Sequence, residues 1–146
     1  MMFVISVISA LFSFVGKAQA AVTCESKVAQ IVSVQGVVEL RRAGQTNWQQ
    51  AAMNMSLCPG DMLRVRTRSR AALRLSNDSM LRLDQKTTIS FPELAEDKAT
   101  SLVDLFTGAL HVLTRTPKPF KIRTPFVNAG VEGTEFSVKV KVSGIA

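Results

Sequence analysis

The chain has 146 residues, 47% of them hydrophobic and 20% charged, with 18 Lys or Arg against 11 Asp or Glu and a formal net charge of +7. That is the size of one modest domain, and its aliphatic content excludes intrinsic disorder. Two cysteines are too few for a disulfide-dense mini-protein or a four-ligand zinc site, and a single histidine leaves a His-based metal cage short of ligands.

Residues 1–16 form an uncharged apolar run, followed by Lys17 and the small-x-small pattern Ala18-Gln19-Ala20. This predicts an export signal over residues 1–20, cleaved after Ala20. The rival is an uncleaved membrane anchor, although sixteen apolar residues are marginal for a hydrocarbon core of roughly 30 Å. Thr23, bulky and directly before Cys24, argues against lipidation. Export removes the nucleic-acid reading that the basic charge invites, and directs it to an envelope protein or an anionic envelope polymer. It also gives the two cysteines an oxidising compartment. A Cys24–Cys58 disulfide would contribute roughly 3 to 4 kcal/mol by loop entropy if unstrained. The alternatives are a free Cys24 on a frayed end and an inert, buried Cys58.

From Val28 the apolar residues alternate in short runs broken by turn residues, which predicts an all-β domain of short strands over residues 28–142. Val32, Val34, Val37, Val38 and Leu40 open it, with Gly36 as a bulge or bend. Ala43-Gly44-Gln45 is turn chemistry, and Trp48 starts a short segment ending near Leu57. Pro59-Gly60-Asp61 is a tight turn leading into a strand from Met62 to Thr67. Two alternating runs around Ser76-Asn77-Asp78-Ser79 make a hairpin. Ile89 and Phe91 end at Pro92, and Glu93 to Thr100 reads as a polar excursion. Ser101 to Leu113 fits a helical face or two strands; Gly108 at its centre costs a helix about 1 kcal/mol and favours strands bent there. Phe120 to Val142 alternates clearly.

Arg64, Arg66, Arg68 and Arg70 recur at every second position, so on one continuous strand all four would project from one face, a basic ladder suited to phosphate or carboxylate groups. Arg74 and Arg82 extend it onto neighbouring strands. The plainer reading is a solvated outer face that charge protects from edge pairing. Gly130 and Gly133 suggest close backbone approach at a turn, with Phe136 packed inward. Glu132 and Glu135, three apart on a strand, face opposite sides and do not converge for acid-base chemistry. His111 reads as a strand residue, and Asp61 as a turn cap, one carboxylate being far short of a calcium site. No catalytic set, metal site or cofactor site is expected.

The series Gly36-Val37-Val38, Trp48, Pro59-Gly60-Asp61, Thr67 through Leu75, Leu81-x-Leu83, Leu105-x-x-Gly108 and Val131-x-Gly133-Thr134-Glu135-Phe136 resembles the FecR domain. The resemblance covers roughly Val32 to Val140. It implies a non-enzymatic periplasmic all-β module, a single solenoid-like or flattened sandwich domain of short strands, that binds a ligand or partner and senses the envelope, with Gly60, Asp61, Gly108, Gly133, Thr134 and Phe136 as structural motif residues; with the apolar segment uncleaved, the same module would be anchored in the inner membrane facing the periplasm. In the regulators that name the family, this module relays a signal from an outer-membrane receptor to a cytoplasmic anti-sigma segment. No such segment precedes the apolar run here, so a stand-alone exported domain is the first expectation and a fragment of a sigma-factor regulator the second. An enzyme acting on envelope polymer is the third.

Overall fold

The alternating runs become ten strands in a computed structural model that describes Cys24, residues 26–92, 101–126 and 128–141. The expected signal segment, the excursion Glu93 to Thr100 and Val142 lie outside the described residues. In chain order the strands are β1 (Ala29–Gln35), β2 (Val38–Arg41), β3 (Gln49–Gln50), β4 (Ser56–Leu57), β5 (Met62–Val65), β6 (Arg70–Leu75), β7 (Met80–Leu83), β8 (Thr87–Ser90), β9 (Ser101–Arg123) and β10 (Asn128–Val140). No helix occurs among the described residues, so the all-β expectation holds.

All ten strands belong to one sheet in the order β3-β2-β5-β8-β9-β7-β6-β1-β4, with β10 on β9. That order follows from four long antiparallel paths, each turning a corner midway. β1 runs against β6 and its continuation β2 against β5; β5 and β6 run against β8 and β7; β7 and β8 run in turn along β9, from Met80 opposite Leu113 to Ser90 opposite Asp104. The corners divide the sheet into a first wing (β3, β2, β5, β8 and the start of β9) and a second (β4, β1, β6, β7 and the middle of β9). The sheet thus curls into half a barrel.

Two of the corners share one construction. Gly36 has φ +77° and Gly108 φ +95°, and the backbone facing each carries a hydroxyl residue preceded by a left-handed one: Ser69 after Arg68 (φ 55°), and Thr87 after Lys86 (φ 57°). The amide after each glycine donates to that hydroxyl, Val37 N to Ser69 Oγ at 2.8 Å and Ala109 N to Thr87 Oγ1 at 3.0 Å. Each hydroxyl in turn donates to the carbonyl two residues before it, on Thr67 (3.1 Å) or Gln85 (3.4 Å). Polar groups freed where the ladder breaks are thereby satisfied. A Cβ on Gly36 would lie 2.4 Å from Ser69 Oγ, and one on Gly108 only 2.2 Å from Thr87 Oγ1 and 2.4 Å from Thr87 Cα, so both glycines are sterically required. Ser101 to Leu113 is therefore part of one long strand bent at Gly108, and not two strands.

Inward positions of both wings meet in one core that includes Ile31, Leu40, Leu63, Leu73, Leu81, Ile89, Leu105 and Val112. The opening of β1 differs from the expected pattern: Ala29 and Ile31 are buried, and Val32 is the extra residue of a bulge between Ile31 and Ser33, after which Val34 packs against the core. The β6–β7 hairpin forms as expected, with Asp78 left-handed (φ 67°) and Asn77 Oδ1 accepting from Ser79 N at 3.0 Å.

The long β9–β10 hairpin closes the core. A register shift between Gly133 and Glu135 leaves Thr114 to Pro117 opposite Thr134 alone, and the chain folds back there. Phe120 and Ile122 enter the core at 1% and 0% exposure, Phe120 meets Phe136 edge to face at 5.6 Å, and Arg123 makes a two-pronged ion pair with Asp104 near the start of its own strand (2.6 and 2.8 Å). Cys24 and Cys58 are joined by a disulfide, Cα atoms 5.7 Å apart.

Candidate functional site: an anion-binding face

The fold breaks the expected arginine ladder. β5 ends at Val65 and β6 starts at Arg70, with Arg68 left-handed at the corner between them, so no continuous strand presents all four side chains. Arg64 sits opposite Glu39 in the β2–β5 pair and grips it with Nε at 3.2 Å and Nη2 at 2.9 Å, while Arg66 Nε approaches the same carboxylate at 3.3 Å. The Arg64 hydrogen bond holds the Glu39 carboxyl below its ordinary pKa, against an opposing effect of burial and with help from the Arg64 and Arg66 charges. Trp48 lies under two guanidinium groups, Arg64 at 4.0 Å and Arg41 at 5.2 Å from the ring centroid. Arg70 lies 3.6 Å from Asp84, an exposed pair of small energetic value. Of the four, only the Arg68 guanidinium has no ion pair or hydrogen bond among the described residues.

The other unpartnered guanidinium groups lie on the outer face of the second wing. Arg74 and Arg82 point outward from β6 and β7; Arg74 is opposite Met80 and Arg82 opposite Ala72, which makes the two arginines diagonal neighbours with Cβ atoms about 7–8 Å apart. Arg115 extends the face from the folded-back segment of β9. Arg74 and Arg115 line an open groove of about 430 Å³ with Asn77, Asp78, Met80, Thr114 and Thr116. Among the described residues none of the three guanidinium groups makes an ion pair or a hydrogen bond, although the Asp78 carboxylate shares the groove with Arg74 and Arg115, so their donors are available to an external anion.

Further along this face His111 joins two residues of β10: its Nδ1 meets Ser137 Oγ, and its Nε2 lies 3.0 Å from Glu135 Oε1. The sequence marks His111 as a strand residue but does not reveal this cluster, because the facing residues depend on the Gly133/Glu135 register shift. The three side chains lie on the open sheet face and bridge β9 to β10.

A family model described as FecR protein matches residues 61–146, more than half of the chain. The chain belongs to the FecR family. Neither a curated protein nor a solved structure matches it. FecR proteins are a regulatory and signalling family of the cell envelope, not an enzyme family.

The residues that carry the FecR resemblance have structural positions here. Gly60 (φ 87°) makes the turn after Pro59, and its amide donates to Phe91 O at 2.5 Å. Asp61, 2% exposed, does more than cap that turn: its Oδ2 accepts from Cys58 N and from Arg42 Nη1, both at 2.8 Å, and its Oδ1 from Ala43 N at 2.9 Å. Arg42 also donates to Ser56 O at 2.8 Å, so one buried pair fastens β2, β4 and the Cys58 turn together. Nothing in the sequence singled out Arg42, whose outward neighbour Arg41 is equally basic. Gly108 makes the corner on Thr87, and Thr134 sits in the β10 register shift beside Gly133. The expectation of close approach at Gly130 and Gly133 fails, since both lie within β10 and a Cβ on either would meet nothing within 4 Å. Phe136 packs against the core as expected.

Proposed function

We propose that this FecR chain is a non-enzymatic, periplasm-facing sensing module that engages an anionic envelope partner through Arg74, Arg82 and Arg115. The observation that carries this reading is the contrast between the two basic faces: Arg64, Arg66 and Arg70 are paired with carboxylates of their own sheet, whereas these three are not. Paired guanidinium groups would have to exchange one carboxylate for another, which gives little net gain. The unpaired ones, Arg74 and Arg115 in the groove and Arg82 beside Arg74, need no such exchange.

Heparin serves as the polyanion probe. The full chain in mild detergent is eluted from heparin in a salt gradient, alongside Arg74→Ser/Arg82→Ser/Arg115→Ser and an equal-charge control, Lys86→Ser/Lys121→Ser/Lys141→Ser. The arginine variant is expected to elute at clearly lower salt than the lysine control. Equal shifts would show that only net charge matters and would remove the reading.

A further inference from the structure

β10 carries a row of main-chain groups on the edge turned away from β9, and among the described residues it pairs with β9 alone. At 13 residues it is more than twice the length of an average strand, and an edge of that length is a template for another chain. Its last six residues alternate regularly: Glu135, Ser137 and Lys139 are exposed on the outer face, while Phe136 and Val138 lie on the inner face, only partly buried and packed at the border of the core.

We propose that two copies of this chain associate through their β10 edges, antiparallel about a two-fold axis at Ser137. A two-fold contact must be self-complementary, and this segment is. Antiparallel pairing centred on Ser137 places Glu135 of each copy opposite Lys139 of the other, giving two opposite-charge cross-strand pairs. The same register sets Phe136 opposite Val138, so the half-exposed apolar residues at the rim of each core cover one another. A one-residue slip is forbidden, because it would set the outer charges against the inner apolar face. The result is a continuous sheet across both copies, held by main-chain hydrogen bonds with side-chain charges selecting the partner.

Sedimentation of the full chain in mild detergent over a concentration series tests this. The wild type is expected to dimerise reversibly, and Lys139→Glu or Glu135→Lys to raise the dissociation constant by about tenfold or more, since each change sets like charges opposite one another twice. Lys139→Glu is the cleaner single change, because Glu135 also contacts His111. The combined Glu135→Lys/Lys139→Glu variant restores opposite charges across the axis and is expected to recover dimerisation. Independently, Ser137→Cys should yield a disulfide-linked dimer on non-reducing gels. A monomer at every concentration, single reversals that dimerise as well as wild type, or a double reversal no better than the singles would each overturn the proposal.

Discussion

Gly108→Ala asks whether the corner between the wings is held by backbone conformation, by space, or by both. At φ +95° an alanine lies beyond the small left-handed region open to L-residues, at a cost of roughly 1–2 kcal/mol. Its Cβ would also overlap Thr87 Cα at 2.4 Å and Lys86 O at 2.7 Å. Both are backbone atoms that cannot rotate away, so the corner itself must open, which adds about 1–3 kcal/mol in the manner of an overpacked core. The total, about 2–5 kcal/mol, is a large part of the stability of a domain this size. Two other glycines separate the contributions. Gly44 has φ +75° with nothing within 4 Å of a Cβ, so Gly44→Ala carries the conformational cost alone, about 1–2 kcal/mol. Gly133 has neither constraint, and alanine there should be neutral or stabilise by up to about 1 kcal/mol through reduced unfolded-state entropy. Denaturant unfolding followed by fluorescence of Trp48, the single tryptophan, gives all three values. If Gly108→Ala costs no more than Gly44→Ala, the steric account of the corner is wrong.

Asp61→Ala leaves Arg42 charged, 8% exposed and without its carboxylate, and should destabilise by about 3–5 kcal/mol in the same unfolding assay. An Arg42→Met/Asp61→Leu pair, which removes both charges, should recover part of that loss. For Glu39, the folded chain binds the carboxyl proton less readily than the unfolded chain does. Its stabilising contribution is therefore complete above the ordinary glutamate value of about 4.3 and declines as pH falls through the lower folded value. Glu39→Gln should flatten that acid limb of the stability-against-pH curve, and an unchanged limb would assign it to other carboxylates.

Most of the fold was readable because period-2 alternation and turn chemistry are local. Gly44, Gly60 and Asp78 all have the positive φ that their turns imply, and Leu63 and Val65, Leu73 and Leu75, and Leu81 and Leu83 all face the core. What alternation does not report is where a strand changes neighbours. Arg64 to Arg70 keep perfect every-second spacing through a corner, and only the left-handed backbone at Arg68 shows that the ladder is broken. The same holds for the bulge at Val32 and the register shift at Gly133, which decide that His111 meets Ser137 and Glu135. The disulfide was legible from compartment and count, whereas the pairing of Arg42 with Asp61 was not, since one arginine among eighteen cationic side chains carries no local mark.

The paths that continue from β1 into β2 also bear on where this domain begins. The family match starts at Asp61, yet β1 pairs with β6 and β2 with β5 upstream of that boundary, and Ile31, Val38 and Leu40 are fully buried. A fragment cut at Asp61 would retain every matched residue. It would also leave β5 and β6 with bare flanks, lose Cys24 and Cys58 together, and separate the Asp61 carboxylate from Arg42. The strands and side chains that complete this fold therefore reach back at least to Cys24, well before the segment that identifies its kinship.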